Sequence, residues 1–581
     1  MKFALRIVNS LLLAALVASS ALAADLTNLL PQESVIVVGV EGLAAHESKL
    51  SVFTEEWNRL DLSRLLGAAM GDGDSSDPQI MTEVLTETEI LDVIGDEAWI
   101  GLSVASFNPM PAITMIARAT PEASAAYREQ FLASEGDFQT FTEGNISFTV
   151  LTAPADPEDE GDPFSAAFST TSLAQFDGIT VISSNPDVMR GVLRRHQGSN
   201  EPGLASNAGF AATIGQLSAA NGYFFLDLPT IVKTAAPFGA GMGFDSVIAR
   251  VSGAFDVGGV FGATTTITAD GLEGRNLRVL GNASGDPRAH ALLTQSVVVS
   301  DATAAFISPS TVGYSVSHFD LPGWWGWLKS VVESSPELGI SDVDGLLGEM
   351  VGIDLNRLLM GWMGTEVAAI TGPSAPTAEI GMAIENPLGD SVYAVSTRDA
   401  AAAEAGISEL FMMASMMLSQ FTSADGMGSQ TGPVSRMVAG VNVTDYSFGD
   451  MMTISTAVVD GYALIATTAA AMDDALNARQ QGGILPASLA GLKPMIPSGV
   501  TSYSISDDSA TMRTLAQSIS AELGMVVGFA PGDIDFDAAD DAGAAMASFL
   551  NFVANRLSGS YMYTYVDGNN LRGNSHTKVA W

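Results

Sequence analysis

The chain has 581 residues, with 25 lysines and arginines against 65 aspartates and glutamates, a formal charge of −40, and no cysteine. That charge disfavours nucleic acid, which is bound where a basic face releases counterions, and it disfavours anionic membrane surfaces for the same reason. The missing cysteines exclude disulfides, thiolate metal ligands and cysteine nucleophiles, and 47% hydrophobic residues exclude a disordered acidic tail.

Residues 1–23 read as a secretory signal peptide. Lys2 and Arg6 form a positive start, Leu11 to Leu16 lie in a short apolar stretch, and Ala21-Leu22-Ala23 precedes Ala24 as a small-residue cleavage site. Release after Ala23 leaves 23 basic residues against 65 acidic ones, a net charge of −42. Such an acidic skin suits a salty exterior, where repulsion is screened. No later segment reaches about 18 uninterrupted apolar residues, so no transmembrane segment is predicted in the mature chain. The expected location is the periplasm or the medium. At roughly 100–200 residues per domain, the length fits three or four domains or two large ones.

Along the chain, the same signals occur twice in the same order. Leu30-Pro31 introduces the apolar run Val35 to Val40, and Ser308-Pro309 introduces Val312 to Val316. An amphipathic stretch follows each: Leu50, Phe53, Trp57, Leu60 and Leu65, then Trp324, Leu328, Val331 and Val332. Gly95-Asp96-Glu97 opens a strand, as does Gly364-Thr365-Glu366. The strands Ile113 to Arg118 and Val392 to Arg398 each run into a helix, starting near Thr120 and Asp399. Asp177-Gly178 and Asp460-Gly461 are turn signals, and Asp270-Gly271 and Asp567-Gly568 open closing strands that carry Arg278 and Arg572. The offset drifts from 278 to 269, 280, 283 and 297, as loop insertions in a diverged tandem duplication would produce.

The predicted fold is therefore α+β, with two homologous units at 24–287 and 288–581 and a boundary near Gly281 to Pro287. Each unit reads strand, two helices, hairpin, helix, hairpin, helix, strand, helix and closing hairpin. Asn185-Pro186-Asp187 is a helix start with cap and proline. Hairpins outnumber crossovers, so the sheets should be mainly antiparallel with helices packed on one face. Gly71 to Pro78, Ala155 to Pro163 and Pro531 to Asp541 read as exposed acidic loops.

The Leu30-Pro31 opening, its strand, and the helix with Phe53 and Trp57 resemble an exported bacterial family known only as a domain of unknown function. The resemblance covers mainly the start of the first unit. It implies no activity and no functional residues.

Among candidate chemistries, calcium comes first. Asp533, Asp535, Asp537 and Asp541 are the candidate ligands, since closely spaced carboxylates in a loop can supply several of the six to eight oxygens the ion takes. Ala538 and Ala544 stand where an EF-hand needs glycine and glutamate, so a plain solvated loop is the competing reading. Ser575 to Lys578 spells S-x-x-K, but within a closing strand that sends the two side chains to opposite faces, and no G-x-S-x-G elbow exists. His46, His196, His290, His318 and His576 are scattered, without metal-site spacing. Gly239, Gly241 and Gly243 miss the dinucleotide spacing. Leu410 to Met417 is methionine-rich, which suits either a buried helix or an adaptable apolar binding surface.

No catalytic or cofactor signature emerges. The expectation is an exported non-enzymatic protein with a binding or structural role at the cell envelope or outside the cell. A hydrolase on an extracellular polymer using a carboxylate pair, and a carrier of an apolar ligand, are the alternatives.

Overall fold

The computed structural model describes residues 26–62, 65, 95–104, 111–133, 136–152, 170–240, 245–335, 338–373, 390–422, 432–448, 452–528 and 536–581. The signal-peptide residues and the acidic stretches 71–78 and 155–163 lie outside them.

The first half runs β1 (Ser34–Glu41), α1 (Glu47–Arg59), β2 (Glu97–Ser103), β3 (Ala112–Ala117), α2 (Pro121–Ala133), β4 (Asp137–Glu143), β5 (Ile146–Thr152), β6 (Thr170–Phe176) and β7 (Ile179–Ser183). It continues through α3 (Pro186–His196), α4 (Ala208–Thr213), β8 (Gly222–Asp227), α5 (Leu228–Ala240), α6 (Asp245–Gly258), β9 (Val260–Ile267) and β10 (Gly271–Val279). A short helix, α7 (Pro287–Leu293), leads onward.

The second half runs β11 (Gly313–His318), α8 (Leu321–Glu333), α9 (Val343–Val351), β12 (Met363–Thr371), β13 (Ser391–Thr397), α10 (Ala400–Thr422), β14 (Val434–Val438), β15 (Val441–Phe448), β16 (Met452–Val459) and β17 (Tyr462–Ala466). It closes with α11 (Ala469–Gln480), α12 (Ala487–Ala490), β18 (Ser502–Ser506), α13 (Asp508–Gly528), α14 (Phe536–Ala554), β19 (Leu557–Asp567) and β20 (Asn570–Val579).

The described strands form one sheet of twenty, and every ladder between them is antiparallel. In the first half the spatial order is β4-β5-β6-β7-β3-β2-β1-β8-β9-β10. The second half follows β14-β15-β16-β17-β13-β12-β11-β18-β19-β20, the same order strand for strand. Register agrees as well. Thr180 pairs with Ala117 and Ala117 with Ala98, while Ala463 pairs with Val395 and Val395 with Val367. Counting outward from the Asp177 and Asp460 turns in this way brings Gly95 to the position of Gly364. β10 pairs with β20 at the centre, so the halves meet with approximate twofold symmetry.

The turns follow from their residues. Asp177 and Gly178 take φ of 48° and 74°, and Asp460 and Gly461 take 52° and 82°, the left-handed pair that joins strands without splaying them. Asn185 caps α3, its Oδ1 accepting from the backbone N–H of Asp187 at 2.8 Å and of Val188 at 3.2 Å.

Helices cover both faces of the sheet, where the hairpin count suggested one. Val181 and Ile116 bury against Met189, Val192 and Leu193 of α3, each such side chain stabilising by about 1.5–3 kcal/mol. The next residue, Ile182, points to the other face and joins Leu151 and Leu173 under Phe131 of α2. Apolar residues in both alternating sets permit this. Two further differences appear. Each half has two hairpins between its α2-type and α3-type helices rather than one, and a helical pair rather than a single helix before the closing hairpin. Gly39 leaves room for the buried Trp99, whose ring lies 2.2 Å from where a Cβ would stand.

The amphipathic helices that follow the first strand of each half reach across to the other half. Trp57 of α1 meets Phe549 of α14 edge-on at 5.2 Å, and Phe53 meets Phe552 at 6.0 Å and Trp581 at 6.3 Å. Reciprocally, α8 packs on α6 and α7, and Trp327 Nε1 donates to Asp286 at 2.6 Å. No helix among the described residues is long and apolar enough to cross a membrane.

Candidate binding groove

The helix that covers the outer strands, β4 to β7 in the first half, differs in length between the two halves. α2 spans 13 residues and α10, its counterpart, 23. α2 is fixed at the β6–β7 side: Ser124 Oγ lies 3.1 Å from Thr180 Oγ1, the Gln175 amide donates to the Ser124 carbonyl, and Phe131 is buried. Phe131 also meets Phe138 of β4 edge-on at 5.8 Å. Among the described residues, nothing covers the rest of the β4–β5 face, with Thr140, Ser147 and Thr149, beneath Arg128 and Leu132. The result is a groove of about 780 Å³.

In the second half α10 runs on over β15, β16 and β17. Counted from the turns Gly144-Asn145 and Ala439-Gly440, Tyr446 takes the place of Leu151. It is buried, and the Phe411 ring of α10 lies 5.4 Å from it. The methionine-rich stretch Leu410 to Met417 belongs to this helix, and Met412 is exposed.

The far end of the groove is polar. His196, at the end of α3, stands 3.0 Å from Asp177 Oδ2, with the Phe176 ring 4.4 Å from the imidazole. Gln197 donates to the Glu143 carbonyl at 2.7 Å, fixing the β4–β5 turn. Asp177 is the one acid in the described lining, against Arg128 and His196. In a chain this acidic, the described lining is thus close to neutral. Nucleophilic catalysis needs the nucleophile in hydrogen-bond reach of a base. Here the Ser147 hydroxyl has Thr142 as its partner at 3.5 Å, and His196 has Asp177.

Of the residues singled out from sequence, His196 and Asp177 line the groove and the others fall elsewhere. Asp533 and Asp535 lie outside the described residues. Asp537 and Asp541 are on α14 rather than in a loop, and Asp541 is exposed; acids in a helix's first turns are favoured by its dipole. Among the described residues, no group of three or more His, Asp and Glu could hold a metal ion. His290 pairs with Asn569 at 3.1 Å and His318 with Gln295 at 2.7 Å, while His576 stacks on Tyr561. Ser575 and Lys578 sit in β20. His196 and Asp177 carry no catalytic or metal-site spacing, and the other groove residues belong to no motif. The signal that could have found them is the ten-residue shortfall of α2 against α10 over otherwise matched hairpins.

No family model and no curated protein matches the chain. Among solved structures, crystal form I of TP0453 is similar at 10% identity and a TM-score of 0.23, over 45% of this chain and 81% of that one.

Proposed function

We propose that this is an exported, non-enzymatic binding protein of the cell envelope or its surroundings, arisen by duplication of one α+β unit, with the groove under α2 as its ligand site. One observation carries the reading: the ladder is the same in both halves, yet among the described residues the short α2 leaves open a groove of about 780 Å³. That volume falls in the usual range of about 300–1,000 Å³ for ligand pockets. The lining suits an extended ligand that offers an anionic or hydrogen-bonding group to Arg128 and an apolar group to Phe131 and Leu132. A carboxylate-pair hydrolase gains no support from a lining with a single acid, and an apolar carrier gains none from one rich in threonine, serine and glutamine.

Filling the groove tests this. Arrays of short peptides and oligosaccharides are probed with the parent and with Thr149→Trp, whose melting temperature should match the parent's. Ligands held by the parent should be lost from the variant; ligands held equally by both would overturn the assignment. Export is tested by fractionation and N-terminal sequencing, with Ala24 expected as the first residue.

A further inference from the structure

We propose that the centre of the sheet carries a second binding surface, for an acidic polysaccharide, on the face of β19, β20 and β10 that α3 and α11 share. Antiparallel register places its side chains in rows. Tyr563 stands opposite both Tyr503 and Asn574, and Asn574 opposite Arg275. Tyr561 stands opposite His576, and His576 opposite Glu273; Tyr565 stands opposite Arg572. Lys578 continues the same face of β20. Tyr561, Tyr563 and Tyr565 form one stripe with ring centroids 6.4 Å apart at each step, and His576 stacks on Tyr561 at 5.8 Å. The three tyrosines, Arg572, Asn574 and His576 are half-buried, while Glu273, Arg275 and Lys578 are exposed.

Two properties select the ligand. The first is charge. Arg275, Arg572 and Lys578 outnumber Glu273 and Asp567 here, in a chain where acids outnumber bases 65 to 25. Arg572 donates to Asp567 at 2.8 Å, but Arg275 donates to the neutral Ser218 hydroxyl at 2.6 Å, and neither Arg275 nor Lys578 has a carboxylate partner among the described residues. Guanidinium groups so placed take carboxylates with paired hydrogen bonds. The second is the tyrosine stripe. A tyrosine offers an apolar ring body and a polar tip, which matches the apolar ring faces and hydroxyl rim of a sugar. Asn574 and His576 add hydrogen-bonding groups between the rings and the cations. A uronate polymer presents ring faces and carboxylates at every unit and so meets both properties, whereas an acidic polypeptide meets only the first.

The test uses the mature protein in affinity electrophoresis at about 0.15 M salt, where the Debye length of about 8 Å confines the acidic field of the rest of the molecule. Polygalacturonate should retard it, dextran should not, and polyglutamate should do so far less. Arg275→Gln with Lys578→Gln, both at exposed positions, should weaken polygalacturonate binding about tenfold or more, as losing charge-assisted hydrogen bonds does. Tyr565→Leu, which keeps apolar bulk but removes the flat ring, should weaken it with melting temperature preserved. Thr149→Trp should leave it unchanged, which separates this surface from the groove. Absence of retardation by polygalacturonate, equal retardation by polyglutamate, or parental binding by the variants would each overturn the proposal.

Discussion

Arg479 donates from Nε to the Asp460 carboxylate at 2.5 Å and from Nη2 at 2.9 Å, tying the last turn of α11 to the turn between β16 and β17. His196 and Asp177 occupy the corresponding places in the first half, 3.0 Å apart. The Arg479 hydrogen bond holds the Asp460 carboxyl below its ordinary pKa. A lowered carboxyl contributes stability above its unfolded pKa and loses it as pH falls through the folded one. Arg479→Ala should therefore cost about 0.5 kcal/mol or less at neutral pH, because exposed pairs are screened by water and the Asp460 side chain is 54% exposed. Urea titrations at neutral pH and in acid below the ordinary aspartate value of about 3.9 decide it. An undiminished cost in acid would mean that packing, not the ion pair, is lost.

His318 gives a step in the opposite part of the scale. Burial at the end of β11 lowers its pKa, against the pull of Asp320 and Glu366. It shares a hydrogen bond with Gln295 Oε1 at 2.7 Å, which the neutral ring makes by donating from Nε2. The unfolded chain takes up this proton first as pH falls, so stability should drop from about pH 6.5 to the lowered folded value and then level off. His318→Gln should make the decline in melting temperature between about pH 8 and 5 shallower. Identical slopes for parent and variant would rule this origin out, leaving His46, lowered by burial and by Lys49, to account for the step.

β10 is an interior strand only because β20 covers it. Residues 24–287 expressed alone should expose that edge together with Phe53 and Trp57, which lose Phe549, Phe552 and Trp581. Free edges of this length pair with other chains. The half-protein should thus form dimers or larger species by light scattering, since a second copy can meet β10 much as β20 does. A well-behaved monomer at tens of micromolar would show that the first half is self-sufficient.

Much of the ladder was legible in the sequence because turn chemistry is local. Asp177-Gly178, Asp460-Gly461 and the Asn185 cap specify backbone angles by themselves, and they fix where neighbouring strands begin. Other features depend on what lies opposite. Val181 and Ile182 are both apolar, so alternation alone could not say that α3 covers one and α2 the other. The glycine-spaced stretch around Gly239 to Gly243 fits either a flexible connection or close helix packing, and the pattern there predicts a single helix rather than the pair α5 and α6. The groove and the tyrosine stripe were less visible still. The first arises from a helix too short for the sheet beneath it, and the second from registers that bring Tyr563, Asn574 and Arg275 into one row across three strands.

The nine residue pairs that join β10 to β20 also set how the molecule carries force. Two lobes on a flexible linker would swing, but two lobes sharing a ladder and an exchanged pair of aromatic helices can only twist together. Tension that pulls one strand end away from its neighbour opens the ladder pair by pair, in peeling. Tension along the strands loads all nine β10–β20 pairs at once, in shear. The shared ladder therefore resists separation of the halves along the strands more than peeling from one end.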